Sequence, residues 1–372
     1  MKSGEARRIR GLLVGPFPPP IGGDTVLTNN LWKSRYWPAH GILLDRVDTS
    51  PRGGVRLPEE RLTVSDLLRG ARIFAQFLGK LRGADFVLLW SNSRFIVTLG
   101  FPVMVACEAS RKPVFVKSFG AFLGQRIHSL PAIRRAAMLS ILARSASVLP
   151  ETERVERELV GLGLPRGRVL ALPNFLPDSA FLGSLPERRF SGRCVFVGQV
   201  KREKGVFDVI DALQGRPGLS CDFYGPLVDR DREAILSAVS RAGNASYRGV
   251  LAPEKVRDVI RSYDVLLLPT YHQGEGYPAV ILESFAAGVP VVASRWLSLP
   301  ELVEDGVRGL LVPPQAPEKI REALDRLSRD AALYGSLRRN AFSYVQSFSE
   351  RKVVEGILIA RVSDALARGG RR

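Results

Sequence analysis

Short apolar runs alternate with helical patterns along almost the whole chain, and this alternation limits the folds that the chain can adopt. DFVLLW (85–90) and DVLLLPT (264–270) are apolar at nearly every position, whereas residues 206–214 and 317–328 carry apolar residues at helical spacing. An uninterrupted apolar strand is typical of a parallel sheet that is buried on both faces. We therefore predict an α/β fold with parallel sheets flanked by helices. The predicted strands span residues 10–15, 41–47, 85–90, 113–118, 147–150, 168–173, 193–198, 220–225, 245–250, 264–270, 289–294 and 309–313.

The strand and helix pattern starts again near residue 190, after a turn-rich segment at 172–192. A chain of 372 residues is too long for one ordinary core and fits two domains. We predict two Rossmann-like domains, residues 1–180 and 190–348, with a C-terminal helix in 349–372 that crosses back to the first domain. Ligands of such folds bind at the carboxyl ends of the strands, so a cleft between two facing domains is the expected site.

Composition indicates a globular protein of a reducing compartment. Apolar residues make up 45% of the chain and charged residues 24%. The three cysteines, Cys107, Cys194 and Cys221, lie in or beside apolar runs without a C-x-x-C motif, which favours buried thiols over disulfides. The N-terminal apolar run stops at Pro16, and residues 95–107 fall short of the roughly 20 residues of a membrane span. We therefore expect a cytoplasmic protein.

The net charge of +17 is concentrated in the first half of the chain. Residues 1–180 hold 26 Lys and Arg against 14 Asp and Glu, while residues 181–372 hold 28 against 23. Such an excess suits an anionic surface or substrate, but a bias toward arginine (44 Arg and 10 Lys) explains it equally well. No nucleic acid partner is expected.

A basic apolar segment at 122–146 leaves the question of a membrane open. Its apolar residues follow a roughly helical spacing, and a segment of this kind can lie against an anionic membrane at the inner face. An ordinary helix with a basic outer face has the same pattern. The basic residues concerned are Arg126, Arg134, Arg135 and Arg144.

Two glycines, Gly22 and Gly23, follow the first predicted strand, within PPPIGGDTVLTNNL (18–31). Paired glycines at a strand-to-helix turn let backbone N–H groups approach an anion, and the following helix presents its positive end. They do not complete a G-x-G-x-x-G motif, so a bound dinucleotide is not indicated. An ordinary turn is the alternative interpretation.

Lys204 and Gly205 stand just before a predicted helix, within FVGQVKREKGVFDVIDAL (196–213). A lysine and the free N–H groups of a helix start can together hold a diphosphate. Lys201 and Arg202 add positive charge to the same loop. A solvated charged loop would have the same composition, so the motif alone decides little.

Two glutamates, Glu275 and Glu283, lie eight residues apart in YHQGEGYPAVILESFAAGVPVVAS (271–294). The spacing puts Glu275 in a loop at the carboxyl end of a buried strand and Glu283 on a helix that has Pro278 in its first turn and ends at Gly288. A buried carboxylate without partners costs several kcal/mol, and a ligand with hydroxyl donors, such as a ribose, would remove that cost. A surface acid favoured by the helix dipole is the alternative.

These motifs, in this order, resemble the retaining GT-B glycosyltransferases of the family 4 type, also called glycosyltransferase group 1. The resemblance covers most of residues 190–330 through VGQVKREKG, EGYPAVILESFAAGVPVVAS and LPELVEDGVRGLLVPP. It is weaker but orderly in the first half, where PPPIGG, ASVLPETERV and VLALPNFLP follow in the same order. It implies the GT-B fold, in which two Rossmann-like domains have parallel sheets that face each other across a cleft.

The resemblance also implies an activity. The enzyme would transfer a sugar from a UDP-, GDP- or other nucleotide-diphosphate sugar to an acceptor hydroxyl, with retention of configuration and without a metal or other cofactor. The acceptor would be a carbohydrate or a lipid-linked molecule, as in polysaccharide or glycolipid assembly. No D-x-D-like cluster stands at a strand end, which agrees with metal independence.

Specific residues receive roles from the same resemblance. Glu275 and Lys204 are the implied catalytic pair: Glu275 orients the donor sugar through its hydroxyls, and Lys204 offsets the charge of the leaving diphosphate. Glu283 would hold the ribose. A covalent nucleophile is the alternative role for Glu275. The other implied donor-binding positions are Gly22, Gly23, Gln199, Arg202, Gly276, Tyr277, Pro278, Val250 and Leu251.

The chain departs from the family pattern at two positions. The arginine usually found five residues before the lysine is Gln199, so the phosphate charge would rest on Lys204, with Lys201 or Arg202 as further cations. A histidine often found in the first domain is replaced by Phe119, with Lys117 and Ser118 as the alternative polar groups beside it. For His272, which lies near the predicted site, a loop-packing role is expected rather than catalysis.

Two other classes of function stay open on the sequence alone. One is a GT-B sugar-nucleotide enzyme of another reaction class, such as an epimerase or a phosphorylase. The other is a non-catalytic protein that binds an anionic surface through the basic first domain.

Overall fold

The computed structural model describes residues 8–50, 64–181 and 183–369. These residues form two compact units. One contains the described chain up to Asn174 together with the segment from Glu350 onward, and the other runs from Phe175 to Ser349. Each unit has its own parallel sheet, as the continuous apolar runs predicted.

The first unit is built on a five-stranded sheet in the order β2-β1-β3-β4-β5, with every pair parallel. The central strand is buried along its length except at Asn92. Uninterrupted apolar sequence is what this position requires, since helices cover both faces. The strands are β1 (Ile9–Gly15), β2 (Ile42–Asp48), β3 (Phe86–Asn92), β4 (Val114–Phe119) and β5 (Ser147–Pro150).

The predicted strand at 168–173 is wrong. Only an isolated bridge joins Val169 to Val148 of β5. The segment still makes two backbone bonds to β5: the Leu170 N–H donates to the Val148 carbonyl at 3.0 Å, and the Leu172 N–H donates to the Pro150 carbonyl at 2.8 Å. The ladder does not continue because Pro150, which ends β5, has no N–H to donate in return.

Among the residues that the structure describes, eight α-helices of the first unit precede Asn174. The basic segment predicted as one helical pattern is two helices, because α7 begins only after Pro131. Met138, Ile141 and Leu142 of α7 are buried. The helices are α1 (Gly23–Trp32), α2 (Tyr36–Ala39), α3 (Val64–Leu81), α4 (Ser93–Val97), α5 (Gly100–Ala109), α6 (Leu123–His128), α7 (Ala132–Arg144) and α8 (Glu153–Gly161).

The second unit has a six-stranded sheet in the order β11-β10-β9-β6-β7-β8, again parallel throughout. Its two central strands, β6 and β9, lie side by side, with Cys194 next to Val265. The loops that follow these two strands therefore leave the sheet at the same edge. The strands are β6 (Arg193–Val197), β7 (Ser220–Tyr224), β8 (Ala245–Tyr247), β9 (Val265–Leu268), β10 (Val291–Ser294) and β11 (Gly309–Val312).

Helices cover the second sheet on both faces. The helix predicted at 253–263 is shorter than expected, since a 3₁₀ turn at Pro253–Lys255 precedes it. The helices are α9 (Val206–Leu213), α10 (Arg232–Ala242), α11 (Val256–Ile260), α12 (Ala279–Ala286), α13 (Leu299–Leu302), α14 (Pro317–Arg329) and α15 (Ala331–Val345).

The last segment of the chain belongs to the first unit. It is a π-helix, Arg351–Ile359, that continues as α16 (Ala360–Gly369). His40 Nε2 lies 3.0 Å from Glu355 Oε1, and Arg361 Nη1 donates to Ser147 Oγ at 3.0 Å. Residues 370–372, the end of the predicted C-terminal segment, lie outside the described residues.

The three cysteines are buried free thiols, as predicted. Burial raises the pKa of Cys107 to about 12 and raises the pKa of Cys194 and Cys221 as well. These side chains act as small apolar residues of the two cores.

Candidate functional site

Lys204 and Glu275 meet at the carboxyl edge of the second sheet. Lys204 ends the turn that follows β6, and Glu275 lies in the loop that follows β9, 71 residues later. The Lys204 Nζ donates to Glu275 Oε2 at 2.6 Å, and Thr270 Oγ1 donates to the same oxygen at 2.8 Å. The side chains are 14% and 7% exposed, so this is a nearly buried ion pair.

The two donors keep Glu275 ionised. Burial alone would raise the pKa of its carboxyl, but the Lys204 charge and the hydrogen bonds from Lys204 and Thr270 outweigh burial and lower the pKa. Both bonds fall on Oε2. Within the described parts of the chain, Oε1 accepts no hydrogen bond, so one carboxylate oxygen is left for a ligand donor.

A left-handed glycine shapes the Lys204 turn. The chain makes a 3₁₀ turn at Arg202–Lys204 and then enters Gly205 with φ of +77°, from which α9 starts. A Cβ at Gly205 would lie 2.3 Å from the carbonyl oxygen of Pro269. Glycine is therefore required both by backbone conformation and by space.

The turn after β6 is also tied to the loop after β9 by backbone bonds. The Glu203 carbonyl accepts from the Tyr271 N–H at 2.8 Å. Thr270 Oγ1, which donates its single hydrogen to Glu275, lies 3.2 Å from the same carbonyl oxygen. On the other side, the Arg202 N–H donates to Asp231 at 3.0 Å. These bonds hold the Lys204 side chain over Glu275.

A second lysine and a histidine complete the cluster. Lys201 is a buried residue, and its Nζ lies 3.4 Å from His272 Nδ1. The backbone carbonyl of His272 accepts a hydrogen bond from Trp296 Nε1 at 3.0 Å. This contact fits the loop-packing role expected for His272. Burial, followed by the Lys201 charge, lowers the pKa of His272 to about 4, so its imidazole is neutral at neutral pH.

Glu283 lies on α12, the helix that follows the Glu275 loop. The helix begins at Ala279 with Pro278 as its N-cap, one residue later than expected, and Gly288 ends it with φ of +70°. Glu283 is half-buried between the buried side chains of Leu282 and Ser284.

The Glu283 carboxylate makes no hydrogen bond to the described protein residues. Burial raises the pKa of Glu283 to about 7, with a smaller opposing effect of Arg257. Among the described residues, its carboxylate has no hydrogen-bond or ion-pair partner and does not contact the Lys204–Glu275 pair. A ligand that donates hydrogen bonds would favour the ionised form.

The other donor-binding residues predicted in the second domain differ in their burial and in their contacts. Gln199 and Arg202 are exposed, and the Arg202 guanidinium lies 4.3 Å from the centre of the Phe207 ring, so it points along α9. Gly276 is buried. Tyr277 is buried too, and its ring packs 5.9 Å from Phe348 in the core.

Val250 is 60% exposed and Leu251 is half-buried, in the loop after β8. Pro278 is half-buried. The side chains of Val250, Leu251 and Pro278 are apolar and form no hydrogen bonds. Their part in the site therefore stays a prediction.

Gly22 and Gly23 belong to the first unit, where they form the start of α1 as predicted. The Gly22 N–H is already used, since it donates to Thr25 Oγ1 at 2.9 Å. A Cβ at Gly23 would meet no atom within 4 Å. Close approach of backbone to a ligand, the reason given for these glycines, stays a prediction.

Sequence reasoning missed Thr270 and the burial of Lys117. Thr270 is the polar residue that ends the apolar run DVLLLPT, and this position at a strand end was the available signal. Lys117, in the first unit, is fully buried with its ammonium on the Leu172 carbonyl. Burial lowers the pKa of Lys117 to about 8, against the opposing charge of Glu151.

Within residues 8–50, 64–181 and 183–369, no group of three or more His, Cys, Asp or Glu side chains is arranged to hold a metal ion. In the same part of the chain, no helix has the length and apolar character needed to cross a membrane.

Comparison with known proteins supports the resemblance seen in the sequence. Residues 191–330, which contain the whole Lys204–Glu275–Glu283 arrangement, match the family model described as glycosyl transferases group 1. Over these residues the chain is similar to the group 1 glycosyltransferases.

Two curated glycosyltransferases align with this chain over much of its length. It is 27% identical to the alpha-D-kanosaminyltransferase of Streptomyces kanamyceticus, over 73% of this chain and 72% of the relative. It is 28% identical to the D-inositol 3-phosphate glycosyltransferase of Acidothermus cellulolyticus, over 67% of this chain and 63% of that one. The chain thus spans about two thirds of each of these relatives.

A solved structure confirms the GT-B fold of this chain. Anabaena Alr3699/HepE in complex with UDP superposes with a TM-score of 0.72 at 16% identity, over 95% of this chain and 100% of the other. At this level of identity the similarity concerns the fold.

Proposed function

We propose that this protein transfers a sugar from a nucleotide-diphosphate sugar to an acceptor hydroxyl, with retention of anomeric configuration and without a metal ion. The Lys204–Glu275 pair carries the proposal. It combines a cation for a leaving phosphate with an ionised acceptor for sugar hydroxyls, at the sheet edge where ligands of such folds bind.

The chemistry of glycosyl transfer fits these two side chains. Breaking the bond between the sugar and the diphosphate puts negative charge on the diphosphate and positive charge on the sugar ring. A fixed ammonium group near the leaving oxygen stabilises this transition state. Lys204 is held in place by Glu275 and by the turn that ends at Gly205, so its charge needs little reorganisation.

Glu275 is better suited to orienting the sugar than to attacking it. Its Oε2 is engaged by Lys204 and Thr270, which lowers its pKa and also reduces its nucleophilicity. Its Oε1 can accept hydrogen bonds from donor sugar hydroxyls. The acceptor hydroxyl would then attack on the face that the diphosphate leaves.

Glu283 is proposed to bind the ribose of the donor. Its half-buried carboxylate, whose pKa is raised to about 7, gains most from two neighbouring hydroxyl donors. The base of the donor is proposed to be uracil, because the solved relative of the same fold holds UDP.

The acceptor is proposed to be a carbohydrate or a lipid-linked molecule, in polysaccharide or glycolipid assembly at the inner face of a membrane. The support is α7, whose outer face exposes Arg134 and Ile133, the latter by 86%, with the half-buried Arg135 beside them. Arginines beside an exposed apolar side chain suit an anionic lipid surface.

One experiment tests the donor assignment. Thermal unfolding is followed with UDP, GDP, ADP and TDP and with their glucose conjugates, because a ligand of the folded state raises the melting temperature. UDP and UDP-glucose should give the largest shifts. Absence of a shift with every nucleotide would contradict the proposed function, and NMR of the product anomer would test retention.

A further inference from the structure

Lys201 is a buried cation without a carboxylate partner. Its side chain lies in the cluster around Lys204 and Glu275, where it is among the few buried charged residues. In the described chain, no carboxylate lies within ion-pair distance of its ammonium, and its one recorded polar contact is His272 Nδ1 at 3.4 Å.

The charged groups around Lys201 are already matched among themselves. Lys204 pairs with Glu275 at 2.6 Å. Arg230 pairs with Glu203, and its Nε lies 3.7 Å from Asp231. Lys201 is therefore the cation of this cluster that has no carboxylate within ion-pair distance among the described residues, and a buried unpaired charge costs free energy until an anion arrives.

Lys201 can supply a positive charge that is missing at position 199. Gln199 stands where group 1 relatives usually carry the arginine of the phosphate site, and its side chain is exposed and uncharged. Lys201 follows two residues later in the same loop, with an extended backbone (φ −149°, ψ 162°) just before the Lys204 turn. The loop therefore has two buried or half-buried cations, Lys201 and Lys204, and Lys201 lies two residues after the position of the usual arginine.

We propose that Lys201 is the second diphosphate-binding cation of this enzyme, and that nucleotide binding is coupled to the uptake of a proton by Lys201. The proposal rests on the proposed function, since it assumes that a nucleotide diphosphate binds beside Lys204. It names a positioning and charge-compensating residue that the family pattern does not contain.

The proton coupling follows from the surroundings of Lys201. Burial, and then the charge of Lys204, lower the pKa of Lys201 to about 8; Glu275 and Asp231 act in the opposite direction, and Arg230 adds to the lowering. Above this pH most donor-free molecules hold Lys201 neutral. A bound diphosphate favours the ammonium form and raises the pKa, so protons are taken up from solution.

The neighbouring titratable groups would not cause proton uptake on nucleotide binding near pH 8.5. The pKa of His272 is lowered to about 4, and the pKa of Glu275 is lowered below its usual range, so both titrate in acid. Glu283, with a pKa of about 7, would release a proton on binding a ribose, which is the opposite sign.

The test is isothermal titration of UDP at pH 8.5 in two buffers that differ in ionisation enthalpy. Wild type should take up a measurable fraction of one proton for each UDP bound. Lys201→Met should abolish this uptake and weaken UDP binding by about 10–100-fold, the usual loss for a hydrogen bond to a charged group. Lys201→Arg should bind UDP without proton uptake, because arginine stays protonated.

A further variant uses the family position. Adding Gln199→Arg to Lys201→Met should recover much of the affinity, again without proton uptake. Lys319→Met, on the exposed surface of α14, serves as the control and should behave as wild type. Thermal unfolding of each free protein checks that the variants are folded.

Different outcomes overturn different statements. If wild type binds UDP without proton uptake, and Lys201→Met binds it equally well, the inference about Lys201 is wrong while the proposed function stands. If wild type binds none of UDP, GDP, ADP or TDP, the proposed function fails and the inference fails with it.

Discussion

The Lys204 ammonium lies 2.6 Å from Glu275 Oε2, and Thr270 Oγ1 donates to the same oxygen at 2.8 Å. A single carboxylate thus orients the lysine that is proposed to face the leaving diphosphate, while its second oxygen stays free. The pair is nearly buried, so removing one partner leaves the other charge exposed to the full cost of burial.

Removing Lys204 should affect both catalysis and stability. We expect Lys204→Met to slow sugar transfer by on the order of 10²-fold or more, because the charge of the leaving group is no longer offset. It should also destabilise the fold by about 3–5 kcal/mol, since Glu275 becomes an unpaired buried carboxylate. Product formation and urea unfolding measure the two effects.

The double variant Lys204→Met with Glu275→Gln is the matched control. It should regain much of the lost stability, because no buried charge is left unpaired, and it should stay inactive. An active double variant would remove both residues from the proposed chemistry.

Glu283 should make the stability of the donor-free protein depend on pH. Its folded-state pKa of about 7 lies above the ordinary value of 4.5, so its contribution to stability is fully present below pH 4.5 and is lost as the pH rises through 7. Glu283→Gln, which cannot ionise, should match wild type in acid and be more stable above pH 7. Each kcal/mol of this difference corresponds to about 2–4 °C in melting temperature.

Glu283 should favour binding of the donor, although its ionised form destabilises the donor-free protein. Glu283→Ala removes the acceptor of the ribose hydroxyls, so calorimetry should show weaker binding of UDP and UDP-glucose. Unchanged donor affinity in this variant would exclude the ribose assignment.

Gly205 should be hard to replace. Gly205→Ala puts a Cβ 2.3 Å from the Pro269 carbonyl oxygen at a φ of +77°, so the Lys204 turn must shift. We expect a loss of stability of more than about 1 kcal/mol together with a loss of transfer activity. Gly215→Ala is the matched control, because Gly215 has a φ of +69° and no atom within 4 Å of its Cβ position. Equal melting temperatures of the two variants would show that the clash is relieved without displacing the turn.

Transfer should not depend on a divalent metal. Lysine and helix N-termini supply the positive charge in the proposed site, so activity should survive EDTA. Activity that disappears with EDTA and returns with Mg²⁺ or Mn²⁺ would contradict metal independence.

Much of the second unit was predictable from local sequence. The apolar runs around Phe196 and Leu267 are strands because a doubly covered parallel strand needs apolar residues on both faces. For residues 168–173 the same rule gave a wrong strand, because Pro150 at the end of β5 has no N–H to continue the ladder with this segment. This depends on which strand the segment meets and leaves no pattern within the segment itself.

The candidate site shows the same division. The spacing of Glu275 and Glu283 placed one acid in a loop and the other on a helix, and the structure agrees. The contact of Lys201 with His272 and the role of Thr270 as a second donor were outside the reach of spacing, since each depends on how two loops meet.

The sequence by itself determined the α/β class, nearly all of the strands, and the acids and lysines available for chemistry, because periodicity and turn residues act over a few positions along the chain. Only the tertiary structure decided which of them meet. Lys204 reaches Glu275 because β6 and β9 are neighbours in the order β11-β10-β9-β6-β7-β8, which brings the ends of two strands 71 residues apart to one edge. The tertiary structure also leaves Lys201 buried with no carboxylate of the described residues within ion-pair distance. Burial and pairing depend on every element that packs around a side chain.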